Sequence, residues 1–439
     1  PFDARIVNTR VRNTIALFER DYIDQVTGGG NRKEFIRRVS RSLKEMTAKT
    51  DYVLLFFNIK NFKAVNELLG VGGDKLLCWF YQRIIYSRFA PIDTSRIESD
   101  HFACLIEARN LDYDYLTEFC NFNYGKEKRK MHIYSTCGIY YIQENDVSVT
   151  GMIDRAKLAK GYITDEYLKP YAIFKSDMKD TYVDEMEICS EFEEGIEKQE
   201  FQVFYQPVVD AKTGKIVSAE ALVRWFHEQK GFISPGQFIP ALEKGGYISE
   251  LDRYMIEKVT GCLDQRRAEK KRFVPVSVNL SWMDFYDENM LEWIVRGLKK
   301  NNPNEQKIRF EITETSLAAI GENHTRMLMH LKENGAEILL DDFGSGYSSF
   351  GMLQDYDFDI LKMDISFVRN IGVNKKSESI LRAIIDMAHQ LEIRLVAEGA
   401  ETEEQVAFLR ANGCDYIQGY YYYKPMPENE FLQLLDEGK

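Results

Sequence analysis

From about Phe201 onward, short apolar runs alternate with longer stretches of helical periodicity. The runs Val203–Gln206, Ile216–Leu222, Pro275–Asn279, Ile308–Ile312, Glu337–Leu340, Ile360–Lys362, Arg394–Ala397 and Tyr416–Ile417 each predict a strand. Eight such strands with helices between them predict a (β/α)8 barrel of the TIM type. Upstream the rhythm differs. Helices are expected over Arg32–Lys49, Phe62–Leu69, Lys75–Ser87 and Val149–Lys160. Strands are expected over Tyr52–Phe57 and His132–Tyr141, with a hairpin of Thr94–Glu98 and Phe102–Glu107 turning at Ser99-Asp100. The order β-α-α-β-β-α-β-α predicts an α+β domain with a central sheet.

Two further helices frame that domain. Residues 1–22 place Ile6, Val7, Val11, Ile15, Leu17, Phe18 and Tyr22 among charges, an amphipathic linker helix that packs on its own domain or on a second copy. Asp177–Lys198 is charged with a thin apolar stripe and reads as a linking helix. The expected organisation is a linker helix over 1–22, a first domain over 23–176, a linking helix over 177–199 and a second domain over 200–439.

Composition narrows the chemistry. The chain has 439 residues, 44% hydrophobic and 29% charged, as in ordinary globular proteins. Its formal net charge of −12 argues against a nucleic-acid polymer as partner, which needs many Lys/Arg contacts to phosphate. A small nucleotide held through metal remains compatible with an acidic chain. Seven cysteines, an odd number with no CxxC spacing, argue against a disulfide framework and favour a reducing, cytoplasmic setting. No stretch approaches the ~20 apolar residues of a membrane span. The chain begins at Pro1, so it reads as a fragment, such as the cytoplasmic part of a longer sensor or membrane protein.

The apolar runs of the second domain end in polar groups: Glu220, Asn279, Glu311, Asp341 with Asp342, Asp364 and Glu398, joined by Lys362 and Gln418. Burying carboxylates requires partners. In a barrel, residues at the C-terminal ends of strands converge on one mouth. Glu220, Asn279, Glu311 and Asp341 supply hard oxygen ligands for one Mg²⁺ or Mn²⁺, and Asp341 would bridge to a second held with Asp342 and Asp364. Two ions about 3.5–4 Å apart can clamp a phosphodiester and activate water. Each acid alone also reads as a loop or cap residue after a strand; the whole set does not. Lys362 is either a group that holds and polarises the attacking water or a structural partner of Asp364. Asp342-Phe343-Gly344-Ser345-Gly346-Tyr347-Ser348-Ser349 reads as a glycine-relaxed catalytic loop that Glu314 would lock, or as a plain turn. Gln206, Arg224 and Gln418 are candidate substrate contacts, Arg224 offering bidentate phosphate geometry or a surface ion pair.

Over about 240 residues the motifs Tyr205-Gln-Pro, Glu220-Ala-Leu-Val-Arg-Trp225, Val278-Asn-Leu-Ser281, Glu311-Ile-Thr-Glu314, Asp341 to Ser349, Leu361-Lys-Met-Asp364, Ala397-Glu-Gly-Ala-Glu401 and Gln418-Gly-Tyr420 resemble the EAL family of cyclic di-GMP phosphodiesterases. The resemblance implies a barrel with one antiparallel strand near its start and Mg²⁺- or Mn²⁺-dependent hydrolysis of cyclic di-GMP to linear pGpG. It implies that Glu220, Asn279, Glu311, Asp341, Asp342, Asp364 and Glu398 match the metal positions. Lys362 matches the water-coordinating lysine, Glu314 the loop-stabilising glutamate, and Glu401 and Gln418 further site residues. Ser345 and Ala400 are mild departures. A homodimer is also implied.

Thr27 to Arg32, Asn58-Ile59-Lys60-Asn61-Phe62-Lys63 and Asn66 resemble the GGDEF family of diguanylate cyclases, which implies a palm-like α+β fold for the first domain. Gly72-Gly73-Asp74 corresponds to that family's helix start; the signature hairpin lies at Glu98-Ser99-Asp100-His101-Phe102. Here the departures are severe. The first metal Asp is Asn58, both signature glycines are replaced, by Glu98 and Ser99, and the fourth acidic position is His101. No RxxD inhibitory site is visible, since Arg88 is followed by Phe89-Ala90-Pro91. The expectation is a degenerate domain without cyclase activity, in a regulatory or structural role. Asn66 and Asp74 leave GTP binding open, and Glu98 opposes it by repelling phosphate. A non-hydrolysing cyclic di-GMP receptor and a dimerising scaffold are the alternatives to the hydrolase.

Overall fold

The structure is a computed structural model that describes residues 21–438 apart from 46–50, 70–71, 127–128, 164, 166, 301–307, 321 and 345–348. The helix expected over 1–22 therefore lies almost wholly outside the described residues. The chain divides into two compact units, Pro1–Val183 and Asp184–Lys439, and the helix Ser176–Glu197 crosses that boundary.

The first unit is built on strands β1 (Tyr52–Ile59), β2 (Asp93–Glu98), β3 (His101–Glu107), β4 (Asn121–Lys126), β5 (Arg129–Tyr141) and β6 (Tyr171–Ile173). They form one sheet in the order β2-β3-β1-β5-β4, with β6 parallel to the upper part of β5. β1 is apolar on both sides because both faces are covered. Val53, Leu55 and Phe57 join one core with Phe80, Phe102 and Phe119, while Leu54 and Phe56 join another with Phe35, Tyr140 and Met152. Three elements escape the periodicity reading: the helix Tyr113–Cys120, β4 and β6. β4 carries Asn and Gly, poor strand formers, yet pairs residue for residue with β5. The helix is short and starts where Asp112 accepts hydrogen bonds from the N–H groups of Asp114 and Tyr115.

The second unit contains β7 (Phe201–Asp210), β8 (Ile216–His227), β9 (Gly231–Ile233), β10 (Val276–Asn279), β11 (Ile308–Thr313), β12 (Glu337–Phe343), β13 (Ile360–Met363), β14 (Arg394–Glu398), β15 (Tyr416–Gln418) and β16 (Met426–Pro427). Strands β8, β10, β11, β12, β13, β14, β15 and β7 close into a barrel through the β7–β8 pairing. Every step from β8 to β15 is parallel; β7 runs antiparallel to both neighbours. This corrects the expectation of helices between all strands. β7 and β8 form a hairpin, its turn held by Asp210, which accepts from the N–H groups of Lys212 and Thr213. A second correction concerns Glu220: β8 does not end there but continues to His227, paired with β7 and β9 beyond the last residues it shares with β10.

Inward positions recur at every second residue and form layers. At one end Glu337 bridges Arg309 and Arg394, the latter at 2.9 Å. Val208, Leu339, Ile360 and Val396 make an apolar middle, separate from the larger core beneath the helices. The strand ends above carry the polar residues predicted from the sequence. Among the described residues no helix is long and apolar enough to cross a membrane.

Candidate active site

Lys362 stands at the centre of the barrel mouth, 2% exposed, because β13 turns its even positions inward. Its Nζ donates to Glu311 Oε2 at 2.6 Å and to Glu220 Oε2 at 3.2 Å. It also makes charge contacts with Glu398 Oε1 at 2.7 Å and Asp341 Oδ1 at 3.2 Å, outside hydrogen-bond geometry. Gln418 Nε2 donates to Glu220 Oε2 at 2.6 Å, and Asn279 Nδ2 to Glu220 Oε1 at 3.4 Å. Gln418 also reaches Gln206 Oε1 at 3.3 Å, and Gln206 in turn donates to the Tyr423 carbonyl. Residues from all eight barrel strands thus meet at the mouth. Lys362 pairs with these acids; Asp364 instead caps the helix that follows, accepting from Ser366 N–H at 2.9 Å.

One cation faces a surplus of carboxylates. Burial works against charging Lys362, but Asp341, Glu220, Glu311 and Glu398 hold it well above the ordinary lysine range. Glu311 is pushed well up by burial and by the charge of Glu220. Glu398 is pushed up to about 8, mainly by burial, with Lys362 opposing and Asp341 repelling. Glu220 is held below its usual range: burial raises it, but Lys362 and the hydrogen bonds from Gln418, Lys362 and Asn279 outweigh that.

The donor set fits divalent metal. Oxygens of Glu220, Glu311 and Asp341 lie within 4.8 Å of one another, and those of Asp341, Asp342 and Glu398 do so as well. Glu311 Oε1 is buried with no hydrogen-bond partner among the described residues. A buried, unpartnered carboxylate oxygen is an acceptor waiting for a cation. Hard oxygen ligands at this density suit Mg²⁺ or Mn²⁺.

Asp341 and Asp342 are neighbours in a strand, where alternation should send them to opposite faces. The pairing of β12 with β13 slips between Leu340 and Phe343, and Asp342 has φ +55°. That bulge brings both carboxylates to the mouth. Burial, then Asp341 and Asp364, push the Asp342 carboxyl up. Beyond it, Gly344 N–H donates to Glu314 at 3.3 Å, the contact expected of a loop-locking glutamate. The rest of that loop, residues 345–348, lies outside the described residues. Glu401 is exposed in the turn after β14, its backbone N–H donating to Gln405, and the structure does not draw its carboxylate into the Lys362 cluster.

A cavity of about 330 Å³ adjoins the cluster, lined by Arg224, Asn279, Asp252, Asp341 and Asp342 among others. Arg224 packs over the Phe204 ring at 5.7 Å and donates to the Val223 carbonyl. Ser281 and Asp252 also line this cavity, and the strand pattern alone did not single them out. Ser281 N–H donates to both Asp252 at 3.1 Å and Asp284 at 2.9 Å, two buried carboxyls pushed up by burial, Asp252 further by the charge of Asp284. The S-x-x-D capping spacing from Ser281 was the available signal.

The hairpin of the first unit is a different kind of place. Asn58 Nδ2 donates to Asp100 Oδ2 at 2.7 Å. His101 stacks on Phe56, with Lys160 Nζ at 3.5 Å from its Nε2. Glu98 is paired with Lys157 at 2.8 Å. Asn66 packs on the helix start, where a Cβ on Gly73 would come within 1.7 Å of its Oδ1.

Residues 190–425, more than half of the chain, match the family model for the EAL domain. The chain belongs to the EAL family. Ahead of the EAL domain, residues 21–159 match the diguanylate cyclase, GGDEF domain. The chain is 28% identical over 391 residues to the bifunctional diguanylate cyclase/cyclic di-GMP phosphodiesterase MucR of Pseudomonas aeruginosa, across 87% of this chain and 56% of the relative. It thus spans about half the length of the curated relatives it matches. Among solved structures, the PaMucR phosphodiesterase in complex with c-di-GMP aligns with TM-score 0.51 and 30% identity over 56% of this chain and 99% of that one. The Vibrio cholerae LapD S helix-GGDEF-EAL structure, bound to c-di-GMP, aligns with TM-score 0.55 over 94% of this chain and 99% of that one, at 20% identity, a likeness of fold alone. In this EAL barrel the antiparallel strand is β7, which carries Gln206 directly across from Glu220.

Proposed function

We propose that the EAL unit hydrolyses cyclic di-GMP to linear pGpG with Mg²⁺ or Mn²⁺, two ions in all, and that the GGDEF unit makes no cyclic di-GMP. The observation that carries this reading is the ring of carboxylates around Lys362 with Glu311 Oε1 left unpartnered. Glu220, Asn279, Glu311 and Asp341 would hold one ion, and Asp341, Asp342, Asp364 and Glu398 the other. Bound divalent cations neutralise phosphate charge and make water acidic enough to attack at neutral pH.

The chain's own groups do the rest. Lys362 stays an ammonium, so it is no base; it orients the attacking water by donating to it, and a neighbouring carboxylate takes the proton. Attack on phosphorus breaks the bond to the 3′ oxygen, which leaves with a proton, opening the ring to pGpG. Arg224 faces the cavity where a phosphate can accept its paired N–H groups. Gln418 fixes Glu220 and is itself braced by Gln206, and both border the substrate. Glu314 holds the start of the loop after β12. Glu401, exposed in the turn after β14, acts from outside the ring.

In the GGDEF unit the carboxylate of Asp100 is occupied by the Asn58 amide, and His101 and Glu98 are engaged with Lys160 and Lys157. A site whose acids, Asp100 and Glu98, already hold partners offers little to metal or GTP, which supports a regulatory or structural role. The test is incubation of the purified chain with cyclic di-GMP and either ion. Chromatography should show pGpG. Tight binding without product would make the chain a receptor and overturn the hydrolase reading.

A further inference from the structure

The hairpin β7/β8 continues past the barrel mouth, and its mouth-facing side is not polar throughout. On β8 that side carries Glu220, Leu222, Arg224 and Phe226; the register places Gln206 across from Glu220 and Phe204 across from Leu222. Phe226 is paired in turn with Phe232 of β9. The three phenylalanines form a chain of ring contacts: Phe204 to Phe226 at 5.9 Å and Phe226 to Phe232 at 5.5 Å. Phe226 is 38% and Phe232 54% exposed. Apolar rings on a strand face normally seek cover.

We propose that Phe204, Phe226 and Phe232 form a stacking shelf for a purine base of the nucleotide substrate, and that it sets affinity for base-bearing diesters. This rests on the hydrolase reading above for the identity of the substrate. The shelf begins one residue pair, roughly 7 Å, beyond Glu220. Arg224 lies between the acid ring and the outer rings, over Phe204 and lining the cavity. A phosphate held at the mouth therefore puts its nucleoside against this wall. Aromatic rings beside an arginine are the combination that stacks bases without reading their edges. Such a shelf acts on binding and not on the chemical step, because none of the rings reaches the acid ring.

The experiment compares wild type with the double variant F226S/F232S and with F226W/F232Y. Both positions are exposed, so the barrel core is left intact. KM for cyclic di-GMP is measured with Mg²⁺, and Kd is measured by calorimetry with Ca²⁺ in its place. The serine variant should raise both by roughly tenfold with kcat little changed. The aromatic variant should restore wild-type values. KM and Kd within twofold of wild type in the serine variant would overturn the shelf. So would a wild type that sediments as a dimer and a serine variant that sediments as a monomer with unchanged Kd, since the rings would then cover a second copy. If wild type shows no turnover, the hydrolase reading fails, and the Kd comparison still decides on the shelf.

Discussion

The barrel mouth and the hairpin of the first unit both gather acids beside basic residues, and they resolve the charge in opposite ways. At the mouth, Glu220, Glu311, Asp341 and Glu398 crowd one ammonium, and a buried oxygen of Glu311 is left over. At the hairpin, Asp100 takes the Asn58 amide and Glu98 takes Lys157. Unmet acceptors mark a place that still has a ligand to gain. Acids that already hold partners mark one that has settled without it. The difference lies less in the number of acids than in whether each already has a partner.

The strongest way to break this contrast is to remove a mouth acid. Glu220→Ala and Glu311→Gln should each cut metal-dependent hydrolysis of cyclic di-GMP by about 10²–10³-fold or more. Unchanged kinetics in either would reject the assigned ring. Next in size is Lys362→Met, which strips the acids of their built-in counter-ion. Breaking a buried ion pair from one side costs about 3–5 kcal/mol, so the metal-free variant should melt well below wild type and regain more of the loss on adding Mg²⁺. Equal melting with and without Mg²⁺ would show that the ring does not take the ion.

The hairpin predicts the reverse. Asn58→Asp replaces a donor with a second carboxylate opposite Asp100, and should destabilise the first unit by about 1–3 kcal/mol without creating GTP condensation. Detectable cyclic di-GMP synthesis by that variant would overturn the view of the first site. GTP with Mg²⁺ should leave the melting of wild type unshifted.

The smallest effect is one of pH. The Glu398 carboxyl is held up to about 8 in the fold, against about 4.3 in an unfolded chain. Its folded form favours the proton, so its contribution to stability is present below about 4 and is lost as pH rises through 8. Melting of metal-free protein should therefore decline over that window. Mg²⁺, which favours the carboxylate, should flatten the decline; parallel curves with and without the ion would count against Glu398 as a ligand.

Much of this was legible in the sequence because barrel strands have one period and one polarity. Each run ended at the polar residue that the fold delivers to the mouth, from Asn279 on β10 to Gln418 on β15. Glu220 reads the same way for a different reason. Its strand does not stop, but its pairing with β10 does, so the apolar run marks the barrel and not the strand. The charged layer of Arg309, Glu337 and Arg394 was invisible. A charge at the start of an apolar run looks like solvent, and only closure of the sheet turns it inward. β4 was hidden because pairing with β5 overrides the weak propensity of Asn and Gly.

The backward twist at Asp342 has a consequence for charge density. A regular strand offers a side chain to the lumen at every second residue, roughly 7 Å apart. By entering the left-handed region, this chain presents consecutive residues, whose Cα atoms are about 3.8 Å apart, to the same lumen. Composition alone cannot achieve that spacing. A variant that kept every acid but straightened this link would hold the same formal charge at about half the local concentration.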